Sequence, residues 1–239
     1  MGVAIDSDEV QIWTDIDGMH NNDPRVVEKT FPIRRMSFDE AAELAYFGAK
    51  ILHPLTIQPC KEAGINVRLK NSMEPEAEGT LISADEDNAM DFHAVAAKDG
   101  ITVVRITSAR MLMAYGFLRK VFEVFEKYKT PVDMITTSEV ELSLTIDNTD
   151  RLDEIVRELV PFGSLEIDRD NTIVCIVGCI DYQQVGLAAR IFNGLREIPI
   201  KMISYGANHR SMTILVSTEH KKQTLQALND HLFDCTNGK

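Results

Sequence analysis

The apolar positions over 116–147 change period twice. Phe117, Leu118, Val121, Phe122, Phe125 and Tyr128 recur every three or four residues, which predicts an amphipathic helix over 116–129. Pro131 ends that period, and 132–137 reads as extended chain. Val140, Leu142, Leu144 and Ile146 then alternate with Glu141, Ser143, Thr145 and Asp147, the period of a strand buried on one face and wet on the other. The same order returns over 186–216. Gly116 matches Gly186, Val121 and Phe122 match Ile191 and Phe192, and Leu142 to Ile146 match Met212 to Val216. The offset is 70 residues at both ends and 68 in the middle, so one loop shortens and the next lengthens. Two copies of one small α+β unit form the C-terminal half.

The first ninety residues follow another pattern. Val10, Gln11, Ile12 and Trp13 read as a short buried strand ending at Thr14 and Asp15. A polar loop rich in Gly, Asn, Asp and Pro follows, IDGMHNNDPR. Ligands of open α/β sheets sit beyond the carboxyl ends of strands, so this loop is a binding candidate, with an ordinary turn as the alternative. Ser37 and Glu40 have the spacing of a capping box, opening a helix with Ala41, Leu44, Ala45 and Gly48 on one face and Lys50 at its end. His53 and Pro54 open a second helix, ended by Gly64. A strand is expected over 65–69, and a short one over 80–82 inside an acidic, irregular connection over 71–91. These elements make a piece of an α/β domain whose sheet is expected to continue upstream.

Composition narrows the function classes. The net charge of −12 argues against binding nucleic acid through its phosphates. No apolar run approaches the roughly 20 residues that cross a bilayer, and the acidic start has no signal-peptide pattern. Cys175 and Cys179 are four apart in a predicted strand, roughly 13 Å between Cα atoms, beyond disulfide reach. No metal site and no tightly bound cofactor are expected, and a reducing cytoplasm is the expected location.

The segments QIWTDIDG, DPRVV and SFDEAAELAYFGAKILHP resemble the end of the kinase domain of aspartate kinase. VDMITTSE and MISYGA resemble the two regulatory ACT domains that follow it in that family, most closely in the monofunctional, lysine-sensitive type. The resemblance implies an α/β and α+β chain: the C-terminal piece of an amino-acid-kinase α/β/α sandwich over 1–91, then two ferredoxin-like βαββαβ ACT domains. It implies phosphoryl transfer from ATP, as its Mg2+ complex, to the side-chain carboxylate of L-aspartate. Nucleotide contacts would fall to Thr14, Asp15, His20, Arg25, Lys50 and Ile51; at His20 the family can carry a tyrosine. The family's Lys-Phe-Gly-Gly-Thr-Ser opening has no match here. The chain is therefore expected to correspond to about the C-terminal half of such a kinase and to be catalytically incomplete by itself, and no catalytic residue is assigned.

Counting elements completes the expected topology. The first unit has strand 101–107, helix 116–129, strands 132–137 and 140–147, helix 150–160 and strand 163–169. The second has strand 172–178, helix 185–196, strands 200–205 and 211–217 and helix 219–232, with no final strand. The unused extended segment is 93–98, expected beside the strand beginning at Thr172. One ACT unit over 101–170 would thus be inserted into another made of 93–98 and 171–233. By resemblance, Met111, Gly116, Phe117, Leu118, Val132, Asp133, Thr137, Ser138 and Glu139 form an effector site, for lysine first and threonine second. Asp133 would accept the ammonium and the Gly116-led helix N-terminus would suit the carboxylate; a solvated strand-end carboxylate is the alternative for Asp133. Lys201 stands at the matching position of the second copy, where the charge logic reverses. The expected partners are the effector and a second copy bound through the ACT units, with neither nucleic acid nor membrane. A stand-alone amino-acid-binding and dimerising module without catalysis is the competing function.

Overall fold

A computed structural model describes residues 2–47, 52, 54–84, 91–111, 115–181 and 183–233. The first part is a four-stranded sheet in the order β1-β3-β4-β2: β1 (Glu9–Thr14), β2 (Arg35–Ser37), β3 (Asn66–Asn71) and β4 (Thr80–Ser83). β1 runs parallel to β3, β2 parallel to β4, and β3 antiparallel to β4. The β3–β4 connection needs Gly79: at φ +69°, an added Cβ would lie 1.8 Å from the Leu69 carbonyl oxygen. α1 (Phe38–Tyr46) and α2 (Pro54–Ala63) pack against this sheet and each other. The capping box at Ser37 and Glu40 is formed in both directions. β1 departs from expectation. It is an edge strand, only half-buried, and Trp13 is exposed beneath the Lys70 ammonium.

The remaining strands form a six-stranded sheet in the order β6-β7-β5-β8-β10-β9. Its spine is a pair of long antiparallel strands, β5 (Phe92–Thr107) and β8 (Ser164–Gly178). The pattern predicts two short strands at each of these places, and each pair is continuous. The spine changes register where Ile101 meets Asn171. There Gly100 (φ +78°) and Asp170 (φ +59°) take the left-handed conformation, so the chain bends without leaving the sheet. Before the bend, β5 pairs with the C-terminal half of β8, Phe92 opposite Gly178 and Lys98 opposite Ile173.

Each half of the spine supports one repeat. β6 (Ile135–Thr137) and β7 (Glu141–Ile146) add to β5 in the first; β9 (Met202–Ser204) and β10 (Ser211–Ser217) add to β8 in the second. The strand orders β6-β7-β5-β8 and β9-β10-β8-β5 are both the order of a βαββαβ unit. α3 (Phe117–Lys127) and α4 (Leu152–Leu159) cover the first repeat; α5 (Leu187–Gly194) and α6 (Lys221–Leu232) cover the second. α3 and α5 both start after a left-handed glycine, Gly116 at φ +78° and Gly186 at φ +88°. The matching of these glycines in the sequence is thus a matching of backbone geometry.

Three apolar clusters divide the interior. Val104, Ile106, Leu142, Leu144 and Ile146 meet α3 and α4 through Phe117, Val121, Phe125, Ile155 and Leu159. Val174, Ile176, Met212 and Ile214 meet Leu187, Ile191, Leu225 and Leu228, and Val27 of the N-terminal loop joins them. The opposite face of the sheet is not wet. Ala94, Ile101, Met134, Ile173, Cys175 and Met202 share a core with Met36, Leu44, Phe47 and Leu69 of the N-terminal part. Ser143 and Thr145, which the alternation places in solvent, are therefore buried. Thr145 Oγ1 accepts from the Met134 amide at 2.8 Å, and the short polar side chains fit a sheet covered on both sides.

Candidate functional site

The residues at which the sequence predicts a site fall into two groups. The first follows β1. The Thr14 carbonyl accepts from the Ser72 amide (2.8 Å) and hydroxyl (2.6 Å), and the Thr14 hydroxyl donates to Asp15 Oδ1 (3.0 Å). The His20 ring is held by Asp17 Oδ1 on Nε2 (2.7 Å) and Thr30 Oγ1 on Nδ1 (3.0 Å). Arg25 forks onto Asp23, Nε to Oδ1 at 2.9 Å and Nη2 to Oδ2 at 2.8 Å, and its side chain is exposed. That hydrogen bond keeps the Asp23 carboxyl below its ordinary range and raises the Arg25 guanidinium. Thr14, Asp15 and His20 therefore share the loop region after β1, whereas the Arg25 charge is already met by its neighbour. Lys50 and Ile51 lie outside the described residues.

What holds this loop is a network that the sequence reading missed. Asn21, Asn22 and Asn229 are buried. Asn21 Nδ2 donates to Asn229 Oδ1 (3.0 Å), Asn229 Nδ2 to the Lys29 carbonyl (3.0 Å), and Asn22 Nδ2 to the Leu225 carbonyl (3.1 Å). The Phe31 amide donates to Asn21 Oδ1, and the Val95 amide to the Asn21 carbonyl, both at 2.8 Å. Helix α6 and strand β5 of the repeats thus fix the loop that follows β1. The adjacent asparagines of NND were its only trace in the sequence, and they read as turn residues.

The second group surrounds Asp133. Its amide donates to the Thr145 carbonyl at 2.9 Å, so pairing with β7 begins two residues before β6. Its side chain is 1% exposed, which removes the solvated strand-end alternative. Oδ1 accepts from the Tyr46 hydroxyl of α1 at 2.7 Å and from the Lys98 ammonium of β5 at 3.0 Å; Oδ2 is buried without a hydrogen-bond partner. Lys98 also meets Asp147 Oδ2 at 2.8 Å. Burial pulls the Lys98 ammonium down, but hydrogen bonds to Asp147 and Asp133 outweigh it and hold it above the ordinary lysine range.

The other expected effector residues divide between two places. Met111, Phe117 and Val132 pack together on the helix-covered side, while Leu118 is exposed. Thr137, Ser138 and Glu139 form the exposed β6–β7 turn, where the Ser138 amide donates to the Glu141 carbonyl at 2.8 Å. Facing of the Gly116 turn by the Asp133 carboxylate is not what the contacts give: the carboxylate turns to Lys98 and Tyr46, because a cation on β5 is a stronger partner than a helix end. In the second repeat the Lys201 amide donates to the Leu215 carbonyl at 2.8 Å, matching Asp133. Its ammonium meets Asp168 Oδ2 (2.8 Å) and Asn171 Oδ1 (2.7 Å), the same kind of cross-strand tie with the charges exchanged.

A cleft of about 460 Å³ opens between α1 and both repeats, lined by Glu43 and Tyr46, by Asp133 and Met134, and by Ser204, Asn208 and Thr213. Asn208 Nδ2 donates to Glu43 Oε1 at 3.2 Å. Burial pushes the Glu43 carboxyl above its ordinary range, more than its hydrogen bonds from Ser211 and Asn208 lower it. A raised folded-state value gives stability that is fully present below the ordinary value of 4.5 and is lost as pH rises through the folded value. Glu43→Gln, which keeps the acceptor, is expected to raise the melting temperature at pH 7.5 and to have no such effect at pH 4.0. Thermal melts at the two pH values check this.

Known proteins resemble both parts of the chain. Residues 1–71 match the amino acid kinase family and residues 174–232 an ACT domain. Aspartokinase 3, chloroplastic, of Arabidopsis thaliana is 37% identical over 98% of this chain and 44% of its own length. The structure of E. coli aspartokinase III with aspartate and ADP superposes with a TM-score of 0.90 at 35% identity, over 97% of this chain and 54% of that one. Its complex with lysine and aspartate gives 0.85 at 36% identity, over 97% and 53%. The chain thus spans about half the length of these relatives. A C-terminal regulatory domain of aspartate kinase from Porphyromonas gingivalis is 50% identical, with a TM-score of 0.54, over 59% of this chain and 96% of that one. With the last of these spanned almost end to end at half identity, and both halves of the fold present, this chain belongs to the aspartate kinase family.

Proposed function

We propose that this chain is the C-terminal portion of an aspartate kinase, which phosphorylates the side-chain carboxylate of L-aspartate from MgATP to give 4-phospho-L-aspartate. The observation that carries the reading is the superposition of 97% of the chain on a relative solved with aspartate and ADP. In this reading residues 1–91 close the catalytic domain, 101–170 form one ACT unit, and 93–98 with 171–233 form the other. Thr14 and Asp15 meet the nucleotide, with His20 beside them and Arg25 and Lys50 near its phosphates. Positioned cations and donors are what phosphoryl transfer to a carboxylate needs. The ACT units pair with a second copy of the chain.

The regulatory ligand in this reading is L-lysine, at Asp133 with Val132, Thr137, Ser138, Glu139, Met111, Gly116, Phe117 and Leu118. The supports are a buried carboxylate with a free oxygen lone-pair site and a relative solved with lysine. A charge-assisted hydrogen bond contributes about 1.5–3 kcal/mol. Asp133→Ala is therefore expected to weaken lysine binding by roughly one to two powers of ten. Calorimetric titration of the chain with L-lysine and L-threonine checks this. Equal affinities for wild type and Asp133→Ala would remove Asp133 from the site, and absence of heat with either amino acid would leave the repeats as a structural dimeriser.

A further inference from the structure

Asp133 is where three elements meet. The carboxylate carries both of its hydrogen bonds on Oδ1, from Tyr46 of α1 and Lys98 of β5. Oδ2 is buried and takes none, although a carboxylate oxygen offers two lone pairs. The Lys98 ammonium stands 4.5 Å from the centre of the Tyr46 ring and is shared with Asp147. The group that an incoming ammonium requires is thus already held by an ammonium belonging to the chain. Lys98 has a second acceptor to retreat to, so its release costs less than breaking an ion pair outright. Asp133 and Tyr46 both line the cleft between α1 and the repeats.

We infer that Lys98 and Tyr46 belong to the effector site: Lys98 is an internal counter-ion that a ligand ammonium displaces onto Asp147, and Tyr46 passes the displacement to α1. The inference rests on the reading of Asp133 as the effector carboxylate. α1 is tied to the sheet at its N-terminal end by the buried Glu40–His93 pair, so a change at Tyr46 acts on the other end, from which the chain runs on to Lys50. The second repeat has a lysine at this position, held by Asp168 and Asn171 of β8, so the device belongs to the first repeat.

The test is calorimetric titration of the full chain with L-lysine, with amide exchange of α1 followed in parallel. Lys98→Met removes the competitor and should bind lysine about ten-fold more tightly, a gain equivalent to about 1.4 kcal/mol. Lys98→Arg, whose guanidinium forks onto a carboxylate, should bind several-fold more weakly than wild type. Tyr46→Phe should still bind lysine, but exchange in α1, increased by lysine in the wild type, should no longer respond. A misfolded variant loses affinity, so the expected gain in Lys98→Met cannot come from damage; unchanged or weakened binding there overturns the inference. If Asp133→Asn abolishes binding while both Lys98 variants match wild type, the effector reading stands and this inference falls. Binding by Asp133→Asn equal to wild type, or none by wild type, removes both.

Discussion

Glu40→Ala is expected to destabilise the chain by about 3–5 kcal/mol, because it strips the partner from the buried His93 ring and from the Ser37 amide and hydroxyl, and each buried group left unmet costs about 1–3 kcal/mol. Glu40 and His93 side chains are 2% and 4% exposed and meet at 2.6 Å, Oε1 to Nδ1. Oε2 accepts from the Ser37 amide (2.8 Å) and hydroxyl (2.9 Å), so one carboxylate both caps α1 and fastens it to β5. Burial by itself raises the Glu40 carboxyl, but hydrogen bonds from His93 and the Ser37 amide prevail and leave it below the ordinary value of 4.5. A depressed folded-state value gives stability that is fully present above 4.5 and is lost as pH falls through the folded value. Urea unfolding at pH 7 should show the full loss in Glu40→Ala. Across the acid range the wild type should approach the variant, and Glu40→Gln should show a flatter acid limb than wild type.

Asn229→Leu is expected to cost about 2–4 kcal/mol, because a buried donor or acceptor left unmet costs about 1–3 kcal/mol. The change strands the Asn21 side-chain amide, which is fully buried, and takes away the donor to the Lys29 carbonyl. Leucine fills similar space, so the loss reports the hydrogen bonds rather than a cavity. The effect should centre on the loop after β1. Hydrogen exchange should speed up at the Phe31 and Val95 amides, which donate to Asn21, and stay near wild type in α3 and α4. Equal loss of protection in α3 and α4 would mean that the network stabilises the whole chain rather than this loop.

Local rules made the individual elements legible. Ser37 and Glu40 are three apart, and a capping box needs nothing further. Gly116 and Gly186 could be matched because only glycine enters the left-handed region freely. Counting strands set 93–98 beside the strand beginning at Thr172, and in the structure Lys98 lies opposite Ile173. Distance in sequence hid the rest. Alternation in β7 reads as one wet face, but Ser143 and Thr145 are covered by chain contributed from other parts of the molecule. Asp133 was legible as a site candidate, yet its partners lie 35 and 87 residues away, and no periodicity connects them. Asn21 and Asn229 are 208 residues apart, and a buried amide pair looks like two turn or helix-end residues until the fold joins them. Trp13 erred the other way: an apolar run reads as a buried strand, whereas its ring is exposed beneath the Lys70 ammonium.

The two repeats share a backbone but differ at one decisive position, Asp133 in the first and Lys201 in the second, and the effector reading depends on that asymmetry. Hydrogen exchange of the chain with and without saturating L-lysine tests it most directly. The reading predicts added protection at 116–118 and 132–139 and none at the matching 186–188 and 200–207. Protection of the second repeat in place of the first, or identical exchange with and without lysine, would contradict it.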